Sequence, residues 1–149
     1  MAYQIVGNDL VLGDTYYSDN VTIIDLTSSF PGRGILKLFS VYAGDPTPTA
    51  FKIKVFRDDG TNYVFIGESP AYSLSALQIN ADLRCWIAAE KNDLLGFYVD
   101  AARYVRATSS GSSVHKAGDI ITTSLKSGWG SLTRKPSTQG KIFTRVAPL

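Results

Sequence analysis

The chain has 149 residues, of which 44% are hydrophobic and 19% are charged. This length supports one sizeable hydrophobic core, and a single domain is the expectation. The one cysteine, Cys85, excludes an intrachain disulfide; because it lies in an apolar run, we expect a small buried side chain rather than a reactive thiol. No apolar run approaches the roughly 20 residues of a membrane-spanning helix, and the first residues lack a secretory signal pattern. We therefore predict no membrane partner.

Charge is unevenly distributed along the chain. Residues 1–50 carry five acidic and two basic residues, residues 51–102 seven and five, and residues 103–149 one and eight, for a net charge of +2. The basic last third could pack on its own acidic body, contact an acidic neighbouring subunit, or bind a polyanion. Since no run of basic residues exceeds two, its field is diffuse, and we predict no nucleic-acid partner. The candidate interface residues are Arg134, Lys135, Lys141 and Arg145.

The first segment, residues 1–33, consists of short apolar pieces separated by Gly, Asn and Asp residues. Such interruptions are typical of turns and loops. We predict an extended arm followed by one strand near residues 21–26.

The second segment, residues 34–108, alternates β-branched and aromatic runs with turn residues, which predicts strands. In Phe51–Arg57, the side chains of Phe51, Ile53 and Val55 should lie on one face, toward the core. The opposite face, with Lys52, Lys54 and Phe56, is expected to be mostly solvated. The turn residues between Arg57 and Tyr63 predict a hairpin with the next strand. The four clearest runs are Ile35–Tyr42, Phe51–Arg57, Tyr63–Ile66 and Leu94–Val99.

The third segment, residues 109–149, opens with a Ser- and Gly-rich stretch that predicts a flexible loop. Strands are predicted at Asp119–Leu125 and Lys141–Val146, with Trp129 between two glycines. Together the three segments predict an all-β chain of about nine strands, folded as one antiparallel β-sandwich of jelly-roll type with an N-terminal arm and a basic C-terminal segment.

Catalytic signatures are scarce. His115, the single histidine, lies beside the predicted flexible loop, so we expect it to be solvated. No Gly-x-Ser-x-Gly elbow and no glycine-rich phosphate loop is present, and one Cys with one His cannot form a usual zinc site. The two glutamates, Glu68 and Glu90, are more simply solubilising than a glycosidase pair. The sequence predicts a protein that is not an enzyme and that needs no cofactor.

One metal alternative remains open. Asp58, Asp59 and Asn62 offer hard oxygen ligands around Gly60, which suits calcium. Their spacing does not match a known calcium loop, and turn formation explains the same residues. We predict no metal, with calcium at this turn as the alternative.

Aromatic residues in or beside predicted loops are the remaining candidates for binding. Exposed rings suit either stacking on sugars or burial in a subunit interface. Trp129 has three possible roles: packing within the chain, contact in a subunit interface, or a stacking platform for a ligand. The candidate ligand-binding residues are Trp129, Tyr16, Tyr17 and Tyr104.

Four pieces between Gly34 and Tyr98 resemble jelly-roll modules of phage virion proteins and of extracellular adhesive and C1q/TNF-like domains. Gly34–Tyr42 is similar to the strand pattern G-x-L-x-x-x-x-V-Y, Phe51–Arg57 to F-x-V-x-V-x-R and Tyr63–Ser69 to Y-x-V-I-G-E-S. Residues 92–98 are similar to G-D-x-L-G-F-Y, with Asn92 in place of the usual Gly. The likeness covers less than half of the chain and carries no active site.

This resemblance supports a structural role, as do the missing catalytic set, the lack of a disulfide and of a secretory signal, and the charge difference between the body and the basic tail. We expect a non-enzymatic virion protein, a capsid decoration or tail-appendage subunit, that forms a symmetric homo-oligomer through its arm and basic tail and contacts other virion proteins. The alternative is a carbohydrate-binding, lectin-like adhesion module that recognises a surface glycan. The expected location is the virion or, for the alternative, the extracellular space.

Overall fold

The computed structural model describes residues 3–100 and 104–144. Within these residues the chain is all-β, as predicted, with antiparallel pairing throughout, no α-helix, and one short 3₁₀ turn at Lys126–Gly128. The described residues form fourteen strands rather than the expected nine, and four of the fourteen have only two or three residues. The strands are β1 Tyr3–Gly7, β2 Thr15–Tyr17, β3 Val21–Ser29, β4 Gly34–Tyr42, β5 Lys52–Asp58, β6 Asn62–Glu68, β7 Ile79–Ala89, β8 Leu94–Val99, β9 Val105–Thr108, β10 Ser113–Ala117, β11 Ser124–Leu125, β12 Gly130–Leu132, β13 Lys135–Pro136 and β14 Thr138–Phe143.

The strands form three sheets. A four-stranded sheet has the order β1-β14-β4-β7, a seven-stranded sheet the order β11-β6-β5-β8-β3-β10-β12, and a small sheet the order β13-β9-β2. The main core takes Leu36 and Ile142 from the four-stranded sheet and Ile53 and Phe97 from the seven-stranded sheet. Apolar side chains of two sheets thus meet in one layer, which is the arrangement of a β-sandwich.

The alternation predicted for β5 is confirmed, but the solvated face is not. Ile53 and Val55 enter the main core as expected. On the opposite face Phe56 is also buried, in a second cluster with Trp129. Residues 118–129, which connect β10 to β12 and are here called the covering segment, place Ile120 and Trp129 against this outer face and exclude water from it.

A buried lysine of β5 forms an ion pair and a hydrogen bond with the covering segment. Lys54 is 0% exposed, and its ammonium lies 2.5 Å from Glu68 Oε1 and 2.6 Å from Asp119 Oδ1. It also donates a hydrogen bond to the carbonyl of Ile120 at 2.9 Å. Lys52 adds a second cation, 2.6 Å from Asp119 Oδ2. A buried charge is tolerated only when it is paired and hydrogen-bonded in this way.

The first and last strands of the described residues both belong to the four-stranded sheet. The predicted N-terminal arm is wrong for residues 3–7, because β1 pairs along its whole length with β14. The strand β14, part of the predicted basic C-terminal segment, lies between β1 and β4.

The third segment also differs from expectation in detail. Most of the predicted strand Asp119–Leu125 is irregular, and only β11 is a strand. The unpredicted strand β10 instead pairs with both β3 and β12. His115 lies in this strand and is half-buried, so the expected solvated loop position is wrong.

The predicted β5–β6 hairpin is confirmed by their antiparallel pairing. Gly60 takes a positive φ of +98°, which glycine adopts at little cost. Asn92, in the turn before β8, also has a positive φ, of +73°. Asparagine tolerates this conformation better than most residues, so it suits this turn.

Candidate functional site

The outer face of the four-stranded sheet carries a group of solvent-exposed aromatic side chains with lysines between them. In β7 the side chains of Cys85 and Ile87 point to the core side, so Trp86 points outward and is 70% exposed. In β1 the same alternation exposes Tyr3 and Ile5. We call this surface the aromatic–lysine face; its residues are Tyr3, Ile5, Lys37, Trp86, Lys141 and Phe143.

Lys37 bridges two rings of this face. Its ammonium nitrogen lies 5.0 Å from the centroid of the Trp86 ring and 5.1 Å from that of Phe143. Both distances are within the range of a cation–π contact. The Lys37 ammonium thus lies between the Trp86 and Phe143 rings.

At the other end of the face a second lysine, Lys141, also lies beside an aromatic ring. Tyr3 and Phe143 are directly opposite on β1 and β14, with ring centroids 5.6 Å apart. Lys141 Nζ lies 5.0 Å from the Tyr3 centroid and 3.0 Å from Asp82 Oδ1. The hydrogen bond to Asp82 raises the pKa of Lys141, so this cation is charged at neutral pH. The face therefore combines apolar rings with two lysines, of which Lys141 is paired with Asp82.

A shallow groove crosses the face beside Trp86, with Leu38, Arg84 and Cys85 in its lining. Burial raises the pKa of the Cys85 thiol to about 12, and the thiol donates to the carbonyl of Leu36 at 3.4 Å. Cys85 is protonated at neutral pH and packs against the core, as its sequence context predicted. The groove thus contains no activated nucleophile.

Strand β7 is at the edge of its sheet and is eleven residues long. Long exposed edge strands are places where another chain can add itself to a sheet. Large exposed aromatic side chains near such an edge are typical of surfaces that become buried in a protein partner. The site thus combines a long edge strand with large exposed aromatic side chains.

The four predicted ligand-binding aromatics do not form one platform. Trp129 is 7% exposed, and its indole N–H donates to Ser124 Oγ at 2.9 Å, so the intrachain alternative is the correct one. Tyr17 is fully buried and hydrogen-bonded to Ser113 at 2.7 Å; burial raises the pKa of Tyr17. Their burial removes both rings from any exposed stacking surface. Tyr16 and Tyr104 do lie together near the surface, with centroids 4.4 Å apart.

The predicted basic interface residues also separate. Lys141 belongs to the aromatic–lysine face, whereas Arg134 donates to the carbonyl of Tyr16 at 3.1 Å. Lys135 lies in β13, which pairs with β9. Arg145 lies outside the described residues. The basic segment is therefore distributed over several surfaces of the domain.

Asp58 and Asp59, which the sequence offered as calcium ligands, form hydrogen bonds within the turn of the β5–β6 hairpin. Asp59 Oδ1 accepts hydrogen bonds from the backbone N–H groups of Thr61 and Asn62. Asp58 accepts one from Gly60 and forms a salt bridge of 2.7 Å with Lys126. These contacts lower the pKa of both aspartates. In the described part of the chain, no three His, Cys, Asp or Glu side chains come together as a metal site.

The glutamates and the histidine of the catalytic hypothesis have separate partners. Glu68 pairs with Lys54, and Glu90 pairs with Arg33 at 3.1 Å. His115 instead covers Gly130, where a Cβ would lie 2.5 Å from its Nε2 atom.

Residues 3–100 and 104–144 contain no helix of the length and apolar character that crossing a membrane requires.

No protein-family model, no curated protein and no solved structure matches this chain.

Sequence analysis did not single out Trp86, Tyr3 or Lys37. A signal for the tryptophan was present, since Leu83, Cys85 and Ile87 share one face of a strand and place Trp86 on the other. Which face is covered depends on the opposing sheet, and this information is not in the local pattern.

Proposed function

We propose that this protein is a non-enzymatic structural subunit of a virus particle, of the capsid-decorating or tail-appendage class, that assembles with copies of itself and with other virion proteins. The observation that carries the assembly role is the aromatic–lysine face with its 70% exposed Trp86. The virion assignment is supported by the resemblance of Gly34–Tyr42, Phe51–Arg57 and Tyr63–Ser69 to strands of virion modules.

The physical chemistry of the face favours a protein partner. Tryptophan and tyrosine are enriched among residues that dominate binding energy, because they bury a large area with few rotatable bonds. Lys37, which forms no salt bridge within the described residues, gives the face a positive charge that favours an acidic counterpart, whereas Lys141 is already paired with Asp82. An edge strand with such a face suits heterologous contact between subunits.

Sedimentation velocity and native mass spectrometry over a range of concentrations test the assembly role. We expect a defined oligomer for the natural chain and its loss, or a much weaker one, for Trp86→Ala. The matched control is Leu125→Ala, which also truncates an exposed apolar side chain but lies in β11 of the other large sheet. A stable monomer that also fails to bind particles would contradict the proposal.

The virion assignment has its own test. We expect capsid or tail genes beside the gene for this chain, and co-purification of the protein with intact particles. A gene among unrelated metabolic genes, together with absence of the protein from purified particles, would contradict the assignment while leaving the assembly role intact.

A further inference from the structure

A second candidate site lies away from the aromatic–lysine face. A cleft of about 560 Å³ opens beside the edge strand β12 and is lined by residues of β3, β10 and β12. Its volume falls in the range of small-molecule sites in proteins. The apolar part of its lining is formed by Leu132 together with Val21 and Ile23, which lie beneath its floor and are 7% and 1% exposed.

The polar part of the cleft is mainly cationic. Arg134, Lys116 and His115 line it together with a single carboxylate, that of Asp19. The Lys116 ammonium lies 3.2 Å from the position that a Cβ on Gly128 would take, so the glycine leaves room for it. Two fixed positive charges thus meet one negative charge in a concave space.

These cations are not neutralised by residues that the structure describes. Arg134 donates to a carbonyl and lies with its guanidinium 5.8 Å from the Tyr17 ring centroid. Neither Arg134 nor Lys116 forms a salt bridge within residues 3–100 and 104–144. By contrast, Lys52, Lys54 and Lys126 are all paired with carboxylates. An anionic ligand would supply the missing partner.

We propose that this cleft binds a small organic carboxylate with a compact, C–H-rich ring. The carboxylate would pair with Arg134, whose planar guanidinium can donate two parallel hydrogen bonds, and with Lys116. The ring would pack against Leu132, over the floor beneath which Val21 and Ile23 lie. The same chemistry is offered by a hexuronate sugar and by a non-sugar cyclic carboxylate, and the site does not depend on the assembly role.

Methyl NMR titration of the full chain tests this proposal. The probes are sodium glucuronate and sodium cyclohexanecarboxylate, each compared with its neutral counterpart, glucose or cyclohexanemethanol. We expect saturable shifts at the methyl groups of Val21, Ile23 and Leu132 with at least one carboxylate and much weaker effects with its neutral counterpart. Tighter binding of glucuronate would identify a saccharide source, and tighter binding of cyclohexanecarboxylate a non-sugar source.

Variants decide whether the named cations hold the ligand. Arg134→Gln should raise Kd by about tenfold or more, because it removes a charge-assisted hydrogen-bond donor. The control Arg33→Gln makes the same charge change at an exposed pair with Glu90 and should leave Kd unchanged. If Arg134→Gln does not fold, Lys116→Gln takes its place. The absence of saturable shifts with both carboxylates, equal response to a neutral counterpart, or equal Kd for the cleft variant and the control would overturn the proposal.

Discussion

The two tryptophans allow one substitution to separate assembly from folding. Trp86 is 70% exposed and Trp129 is 7% exposed, and the chain contains no other tryptophan. Replacing Trp86 by Ala removes an exposed ring and its contact with Lys37, which is worth roughly 0.5–1 kcal/mol at such a position. The free energy of unfolding of the monomer should therefore fall by less than about 1 kcal/mol.

Replacing Trp129 by Ala has the opposite consequence. The ring packs edge-on against Phe56 and Tyr63, with centroids 5.7 and 5.5 Å away, and its N–H is bonded to Ser124. Removing a buried aromatic side chain typically costs about 3–5 kcal/mol, because the cavity collapses only partly. We expect a loss of this size for Trp129→Ala.

Self-association should be affected more by Trp86→Ala than by Trp129→Ala, the reverse of their order for stability. Trp86→Ala should weaken self-association by about 2 kcal/mol or more, which is about 30-fold in Kd. The measurements are urea unfolding at a protein concentration below the association range, where coupling to the oligomer is negligible, and sedimentation velocity above it. Trp129→Ala should associate with near-natural affinity under conditions where it remains folded.

Fluorescence gives an independent readout of the same pair. In Trp129→Phe the remaining Trp86 should be quenched by acrylamide in the monomer and protected on assembly. In Trp86→Phe the remaining Trp129 should be protected in both states. The reasoning is refuted if Trp86→Ala destabilises the monomer as much as Trp129→Ala, or if it leaves association unchanged.

Further predictions concern the buried ions and the hairpin turn. Lys54→Ala should lower the free energy of unfolding by about 3 kcal/mol and Lys54→Met by less, as urea unfolding would show; unchanged midpoints would mean that the cluster adds no stability. Burial opposes ionisation of Asp119, but its ion pairs with Lys52 and Lys54 prevail and lower the pKa of the carboxyl below 3.8. The Asp119 carboxylate therefore contributes to the free energy of unfolding above pH 3.8, and this contribution is lost as the pH falls through the lower pKa of the folded state. Acid should thus destabilise the natural chain more than the Asp119→Asn variant. Because Asp58 and Asp59 are engaged by backbone N–H groups and Lys126, calcium or a chelator should leave the thermal midpoint unchanged; a rise with calcium would restore the metal alternative.

Local sequence patterns were sufficient to predict the structure where a strand pairs with its neighbour along the chain. The β5–β6 hairpin follows from a period-two strand, a turn with Gly60 in a positive-φ conformation, and a second β-rich run. The core side of β5 was likewise evident from Ile53 and Val55. In these cases the determining contacts are within a few residues of each other.

Patterns were insufficient where a distant segment covers a surface. The outer side of β5 has a lysine at its centre, which predicts solvent, yet Lys54 is buried because Asp119 and Glu68 neutralise it beneath the covering segment. His115 similarly follows a Ser- and Gly-rich stretch but is held in β10 by pairing with β3. Both outcomes depend on partners far away in sequence.

By itself the sequence determined that this chain is all-β and antiparallel, because side-chain alternation and turn chemistry are local properties. Only the tertiary structure decided which tryptophan is buried and which is exposed, because burial depends on what packs across the sheet. Trp129 is buried because the covering segment returns to β5 and β6, and Trp86 is exposed because no described segment packs over its side of β7.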